Sequence, residues 1–169
     1  EDFNIYNFQL KSLIFEFRRF DEFVEHFNIS SDDTIFTEKF LYEKYMKDKL
    51  IVILFFWDNY SVGEPSDIVI YKILKDIYEK EIKRIYGISG GTILDIAKLL
   101  SLENAAFTKE IFEDRIRLIR DKGLVLIPTT CGTGLEITCV SVVDITKKLR
   151  VGKRIEANFV DSAVLVEEL

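Results

Sequence analysis

Histidine and cysteine are scarce in this sequence. His26 is the only histidine among 169 residues, and the two cysteines, Cys131 and Cys139, form no cluster with it. A tetrahedral metal site needs several such ligands, so this chain cannot build one from these residue types. Two cysteines without an extracellular pattern also predict a reducing compartment, and we expect the protein in the cytoplasm.

The sequence also lacks a basic excess and a long apolar run. Its 23 Lys and Arg residues are outnumbered by 29 Asp and Glu, and only residues 147–154 form a modest basic cluster. Nucleic-acid binding requires clustered cations and is therefore not expected. The longest apolar run, residues 50–57, is too short to cross a bilayer. The acidic N-terminus shows no signal peptide, so we expect no membrane partner either.

The chain does contain enough apolar residues for one well-buried domain. Of its residues, 48% are hydrophobic and 31% charged, which is ordinary for a globular protein and argues against disorder. No repeat, low-complexity tract or linker interrupts residues 1–169, so we predict a single domain. Strand-like and helical patterns alternate along it. Strands are predicted within 3–17 and at 34–37, 50–56, 85–88, 124–127 and 137–145, and helices at 20–27 and 38–48, after Pro65 and from Thr92.

This alternation predicts an α/β fold: a Rossmann-like parallel sheet with helices on both faces, plus an N-terminal β segment. Residues 50–56 and 124–127 are uninterrupted apolar runs, which are typical of strands buried on both faces. Ligands of such sheets bind beyond the carboxyl ends of the strands, where the winding reverses. The aromatic N-terminal segment would offer an apolar edge to a second copy, so a homodimer is one expectation.

A strand that enters a helix through a glycine turn is predicted at residues 84–98. Apolar residues run up to Ile88, Gly90 and Gly91 follow, and apolar residues then recur with helical spacing. Adjacent glycines permit positive φ and leave no Cβ in the way of a ligand. The helix start presents free N–H groups and the positive end of its dipole. We therefore predict an anion site here, and a phosphate suits it best.

Two other interpretations of these residues require no ligand. Thr92 and Asp95 form a capping-box pattern, which also starts helices that bind nothing. Asp95 and Lys98 could form an ordinary i,i+3 ion pair. The glycines also lack the spacing of the usual dinucleotide fingerprint. The phosphate hypothesis therefore needs a second site.

A second suitable loop follows the predicted strand 124–127. Residues 129–136 are Thr-Thr-Cys-Gly-Thr-Gly-Leu-Glu, with three hydroxyls and two glycines where the strand ends. Threonine hydroxyls donate to phosphate or ribose oxygens, and glycines let the backbone approach closely. A polar turn into the next strand is the alternative. Two such loops on neighbouring strand ends favour a shared ligand.

The two loops contain motifs in a fixed order: Gly-Gly-Thr-x-x-Asp-x-Ala-Lys at 90–98 and Pro-Thr-Thr-Cys-Gly-Thr-Gly-x-Glu at 128–136. Together they resemble the iron-containing alcohol dehydrogenase family. With residues 62–67, they are most similar to its bacterial 4-hydroxybutyrate dehydrogenase branch. The resemblance implies a nucleotide-binding domain, NAD or NADP as cofactor, and hydride transfer with a small alcohol or aldehyde substrate.

The resemblance also implies roles for three groups of residues. Gly90, Gly91 and Thr92 would hold the cofactor pyrophosphate. Asp95 and Lys98 would lie beside its nicotinamide end. Thr129, Thr130 and Thr133 would contact phosphate, ribose or adenine. Glu38, after the first core strand, would accept from a ribose 2′-OH and repel a 2′-phosphate, which favours NAD.

The match to the family is incomplete. Ser89 and Leu135 stand where the family commonly has Gly and Ser, and Val166-Glu167 replaces Asp-Pro. Ser89 would cost free energy if its position needs positive φ, and Leu135 removes a hydroxyl near the cofactor. The family's helical half, with Asp and His ligands, has no counterpart here. Iron or zinc is thus implied only for a full-length member, and we assign no catalytic residue.

The chain begins at Glu1 without an initiator Met, so we expect it to be a piece of a longer protein. Two alternatives to the dehydrogenase hypothesis remain. One is a non-catalytic remnant that retains the fold for association or regulation, which the departures from the motifs would favour. The other is a relative that acts on phosphorylated substrates, such as a glycerol-phosphate dehydrogenase or dehydroquinate synthase. The form of the second motif favours the alcohol branch over this relative.

Overall fold

The computed structural model describes residues 11–61, 65–78, 80–103, 108–145 and 149–169. Strands and helices alternate up to residue 100, as the sequence predicts, whereas four strands follow one another from residue 123 onward with no α-helix described between them. In chain order the elements are β1 Leu13–Phe17, α1 Phe20–Phe27, β2 Asp33–Thr37, α2 Lys39–Leu41 continuing as a π-helix over Tyr42–Met46, β3 Ile53–Phe56, α3 Asp67–Tyr78, β4 Arg84–Ser89, α4 Gly91–Leu100, α5 Thr108–Phe112, β5 Gly123–Pro128, β6 Val140–Ile145, β7 Leu149–Arg154 and β8 Ser162–Val166.

Six of these strands form one parallel sheet in the order β1-β8-β5-β4-β2-β3. From β2 the chain moves outward to β3, then returns past β2 to β4 and continues in the other direction to β5 and β8. The winding therefore reverses between β2 and β4. In open α/β sheets the crevice at such a reversal, beyond the carboxyl ends of the strands, is where ligands bind.

Apolar side chains pack on both faces of this sheet, so the predicted fold class is confirmed. Along β4, Ile85 belongs to one buried cluster, with α3 and α4, while Tyr86 belongs to the other, with α1. The helices present the faces that their spacing predicts. The buried positions on these two helices are Ile70, Ile73 and Ile77 of α3 and Phe20 and Phe23 of α1.

Gly87 determines how closely α4 packs on the sheet. A β-carbon at this position would lie 2.8 Å from Ala97 Cβ and 2.9 Å from Leu126 Cδ2, closer than real contacts allow. Since α4 follows β4 directly, its start lies at the carboxyl end of β4, and the packing at Gly87 holds the helix close to the sheet.

Two predictions about strands are wrong. The run 50–56 does not form a strand buried on both faces: β3 is an edge strand in which only Phe55 is buried, and the preceding Ile51 is 87% exposed. Apolar composition cannot distinguish a central strand from an edge strand that packs on one side. The strand predicted from residue 137 begins at Val140, because Leu135–Ile137 form a 3-10 turn. It pairs antiparallel with β7 in a separate ribbon.

The N-terminal β segment is confirmed in part. β1 pairs parallel with β8 at the sheet edge, while residues 3–10 of the predicted segment lie outside the described ranges. None of the described helices combines the length and apolarity that a membrane span requires.

Candidate functional site

Three adjacent strands bring the sequence-predicted site residues to one edge of the sheet. β2 and β4 pair with Thr37 beside Ile88, and β4 and β5 pair with Ser89 beside Pro128. The residues that follow these strands therefore lie in a row, which begins at the crevice between β2 and β4. In spatial order they are Glu38, Gly90 with Gly91, and Thr129 with Thr130.

The start of α4 is open toward this row. Gly90 is the N-cap, and as a glycine it has no side chain with which to cap the helix. The first hydrogen bond of the helix is donated by Leu94 to the Gly90 carbonyl at 3.3 Å, so the preceding N–H groups have no partner within the helix. The capping-box interpretation of Thr92 and Asp95 is therefore wrong. The helix start can receive an anion.

Of the two glycines of the turn, only Gly91 lacks space for a side chain, and Gly90 does not adopt a conformation that requires glycine. Gly90 has φ −77° and ψ −178°, an extended conformation open to any residue. A β-carbon on Gly90 would lie 3.7 Å from Thr130 Oγ1, and one on Gly91 would lie 2.9 Å from Leu135 Cδ1. The second loop thus packs directly on the first, as a shared site requires.

Positive φ occurs instead in the second loop, at Gly132 (96°) and Gly134 (63°). These glycines turn the chain back toward α4. Thr129 is half-buried, and its N–H donates to the Ser89 carbonyl at 3.0 Å, while Thr130 is exposed beside the glycine turn. The hydroxyl of Thr133 accepts from the Leu135 N–H at 3.5 Å within the loop itself.

Asp95 and Lys98 are buried, and they join α4 to the β6–β7 ribbon. The Lys98 Nζ donates to the Val140 carbonyl at 2.7 Å and lies 3.4 Å from Asp95 Oδ1. The Val142 N–H donates to Asp95 Oδ2 at 3.1 Å. Burial raises the pKa of Asp95 and lowers the pKa of Lys98, and the attraction between the two charges opposes both shifts. An i,i+3 ion pair is present, but in the interior and not on an ordinary surface.

Two further polar residues complete this junction. Ser141 Oγ donates to the Asp95 carbonyl at 3.3 Å, and Asn158 Nδ2 donates to Ser141 Oγ at 3.0 Å, both in buried surroundings. Sequence reasoning missed Ser141 and Asn158. No motif marks them, because their partners are distant in the chain.

A cavity of about 200 Å³ lies between the start of α4 and the ribbon. Gly91, Thr92, Asp95 and Leu135 line it from the loops and α4. On the ribbon side, Arg150 Nε donates to Asp144 Oδ1 at 3.2 Å. The remaining lining residues are Pro65, Val142 and Val143. Sites for whole small ligands measure roughly 300–1,000 Å³, so this cavity suits one end of an extended ligand. Asp95 contributes to it, whereas Lys98 is fully buried behind it.

Glu38 and Ser89 meet across the crevice between β2 and β4. The Ser89 hydroxyl donates a hydrogen bond to Glu38 Oε2. Ser89 is only 2% exposed and ends a regular strand, and it is not among the residues with positive φ. The strain expected for a serine at this position is therefore absent. The side chain instead acts as a donor.

A metal centre is not formed by the described part of the chain, where no three His, Cys, Asp or Glu residues lie close enough together to hold an ion. The one histidine, His26, is exposed and packs against the rings of Phe15, Phe17 and Phe27. These residues do not fit the metal that the resemblance implies for a full-length protein, and no chemical step is assigned to one here.

The family model of iron-containing alcohol dehydrogenases matches residues 12–167. The chain belongs to this family. It is 36% identical over 159 residues to the 4-hydroxybutyrate dehydrogenase of Clostridium kluyveri, an alignment that covers 92% of this chain and 42% of that protein. A shorter alignment of 66 residues, 38% identical, links it to long-chain-alcohol dehydrogenase 1 of Geobacillus thermodenitrificans, covering 36% of this chain and 17% of the relative.

Solved structures share the fold at low identity. The sulfoacetaldehyde reductase of Bifidobacterium kashiwanohense, in complex with NAD+, superposes with a TM-score of 0.79 at 19% identity and covers 97% of this chain and 46% of its own. The NADH-dependent butanol dehydrogenase A of Thermotoga maritima gives 0.74 at 14% identity, covering 96% and 44%. The chain thus spans less than half the length of these relatives.

Proposed function

We propose that this chain is the NAD(P)-binding part of an alcohol dehydrogenase that transfers a hydride between a nicotinamide cofactor and a small primary alcohol or ω-hydroxy acid, such as 4-hydroxybutyrate. The observation that carries the proposal is the open start of α4, which meets the second glycine loop beside the point where the sheet winding reverses. Both features favour an extended, anionic ligand with a sugar–phosphate backbone. The substrate class follows the similarity to the Clostridium kluyveri enzyme.

The residues present fit a dinucleotide in three respects. The first N–H groups of α4 lack helix partners and can donate to a pyrophosphate. Gly91 has no Cβ where that group would approach. Glu38 supplies a carboxylate at the crevice, which accepts from a ribose 2′-OH and repels a 2′-phosphate. We therefore propose NAD as the preferred cofactor.

In this proposal the chain binds and orients the cofactor, and the nicotinamide supplies the hydride chemistry once bound. The hydroxyls of Thr129 and Thr130 donate to phosphate or ribose oxygens next to the glycine turn. The cavity beside Asp95 receives the nicotinamide end. Its apolar wall excludes water from one side of the ring, and the Asp95 carboxylate borders it. These roles position the cofactor and leave the alcohol to groups outside the described residues.

Calorimetry with NADH tests the proposal on this chain. The unaltered chain should bind NADH weakly, and Gly91→Asp should abolish the binding, because a carboxylate would occupy the phosphate position. Gly152→Asp is the matched control: it adds the same charge at an exposed glycine of β7 that does not line the cavity. No binding to the folded, unaltered chain even at millimolar NADH would overturn the proposal.

A non-catalytic remnant is the second candidate function, and Leu135 is the observation that favours it. Its Cδ1 would lie 2.9 Å from a β-carbon at Gly91, so an apolar side chain partly covers the place where a phosphate would approach. A folded chain that binds neither NADH nor NADPH would support this candidate.

The exposed edge of the sheet supports a homodimer, which we include in the proposal. Among the described residues β1 has one strand neighbour, β8, and its Leu13 and Ile14 are 64% and 54% exposed. An apolar strand edge of this kind can pair with a second copy. Light scattering of the chain and of its Ile14→Lys variant tests this: a dimer that becomes a monomer supports pairing through β1, and a monomer in both cases contradicts it.

A further inference from the structure

The hydrogen bond between Ser89 and Glu38 lies where the sheet winding reverses. Glu38 is the first residue after β2, Ser89 is the last of β4, and the two strands are neighbours. The bond joins residues that are 51 positions apart in the sequence. It therefore lies at the crevice between β2 and β4, where ligands of α/β sheets bind.

Ser89 is held rigidly. It pairs with Pro128 of β5, and the pairing of β4 with β2 ends one residue earlier, at Ile88. Its carbonyl accepts from the Thr129 N–H at 3.0 Å. One residue earlier, the Ile88 carbonyl accepts from Thr37 Oγ1 at 2.7 Å, which ties β4 to β2. A hydroxyl on such a backbone is a donor of fixed position.

Glu38, in contrast, has few restraints of its own. It follows the end of β2 as the N-cap of the short helix α2, but its side chain makes no capping bond. Among the described residues, no donor other than Ser89 contacts its carboxylate. Without that bond the side chain, which is half-buried and has three rotatable bonds, could turn out to solvent at an entropic gain.

We propose that Ser89 is a positioning residue that sets the preference for dinucleotides with an unphosphorylated ribose. The Ser89 hydroxyl donates to Glu38 Oε2, so that Oε1 is available to accept from a ribose 2′-OH. The carboxylate charge, held in place by this bond, repels a 2′-phosphate. Ser89 does not itself touch the cofactor in this scheme. The inference rests on the proposed function, because it assumes that the crevice binds a dinucleotide.

The test is a double-mutant cycle on the ratio of the dissociation constants for NADPH and NADH, measured by calorimetry. Ser89→Ala should lower this ratio about five-fold, which is within the range for the net contribution of one hydrogen bond. In the Glu38→Ala background, the same Ser89→Ala change should leave the ratio unaltered, because Ser89 acts through Glu38. Ser89→Gly, which also removes the hydroxyl, provides a second reading if Ser89→Ala folds poorly.

A matched control is Ser101→Ala. Ser101 is also buried, and its hydroxyl donates to the Lys98 carbonyl at 2.7 Å at the far end of α4, so its removal should leave the ratio unaltered. If the unaltered chain binds both dinucleotides and Ser89→Ala leaves or raises the ratio, the inference is overturned and the proposed function stands. A raised ratio would mean that Ser89 competes with the ribose for Glu38. If the unaltered chain binds neither dinucleotide, the proposed function fails as well.

Discussion

The ammonium group of Lys98 donates a hydrogen bond of 2.7 Å to the carbonyl of Val140, the first residue of β6. Lys98 is completely buried, and the only described carboxylate that pairs with it is Asp95, at 3.4 Å. The β6–β7 ribbon is not part of the main sheet, so this bond and the bond from Val142 to Asp95 take the place of a strand ladder. The two charged residues thereby hold the far wall of the cavity against α4.

Lys98→Met should therefore destabilise the fold. The substitution keeps the length of the side chain but leaves the Asp95 carboxylate buried without its counterion. Breaking a buried ion pair in this way costs roughly 3–5 kcal/mol. Urea unfolding of the two proteins measures the difference.

Adding Asp95→Asn to Lys98→Met should recover part of this loss, since the buried charge is then removed while an acceptor remains for the Val142 N–H. Lys47→Met is the control, because the Lys47–Glu43 pair is exposed and such pairs contribute little. If Lys98→Met unfolds at the same urea concentration as the unaltered chain, the junction role of this pair is refuted.

Gly87→Ala should destabilise the fold by about 1–3 kcal/mol, because the new methyl group would overlap Ala97 and Leu126 in a closely packed region. For a chain of this size, that lowers the melting temperature by roughly 2–12 °C. Gly152→Ala is the matched control: its β-carbon would meet only Val142 Cγ2, at an ordinary 3.6 Å. Equal melting temperatures for the two variants would show that α4 can move away from β4 without loss of stability.

Leu135→Ser should strengthen NADH binding about three- to ten-fold, because it removes an apolar group that covers Gly91 and adds a donor near the proposed pyrophosphate position. The same change should lower the stability modestly, since Leu135 packs partly against the core. Ile137→Ser, in the same 3-10 turn but outside the cavity lining, should lower stability without affecting affinity. Weaker NADH binding by Leu135→Ser would mean that the leucine supports the cofactor.

Tyr86 should make the fold sensitive to alkali. Burial raises its pKa well above the ordinary value of 10.0, against the opposing effect of the Arg84 charge. Below pH 10 the hydroxyl is protonated in both the folded and the unfolded chain. Above pH 10 it ionises in the unfolded chain first, so the stability is lost progressively as the pH rises.

Thermal unfolding of Tyr86→Phe between pH 9 and 11 checks this expectation. The variant should lose less stability over this range than the unaltered chain. At pH 7 it should be as stable or more so, because the Tyr86 hydroxyl has no hydrogen-bond partner in the described structure. Tyr78→Phe, at a site that is 92% exposed, should leave the pH profile unchanged. Identical profiles for all three proteins would contradict the expectation.

The sequence by itself determined those features that depend on neighbouring residues. The helical spacing after Thr92 predicted α4, and the apolar run ending at Ile127 predicted β5, because each pattern reflects which side of one element is buried. The loops at residues 90–91 and 129–136 could be predicted to lie at one edge of the sheet by the same reasoning, since parallel strands carry their carboxyl ends to a common edge. The order of the strands, and hence which loops meet, was beyond that reasoning.

Only the tertiary structure decided the contacts that give these residues their roles. Ser89 and Glu38 are 51 residues apart, and Lys98 and Val140 are 42 apart. Such pairs meet because of the strand order and the register between strands joined by long crossovers, which no local pattern encodes. For the same reason the run at residues 50–56 suggested a central strand, although its place is the edge of the sheet. The local sequence pattern determines which segments become strands and helices, whereas long-range packing determines which of these elements lie next to each other.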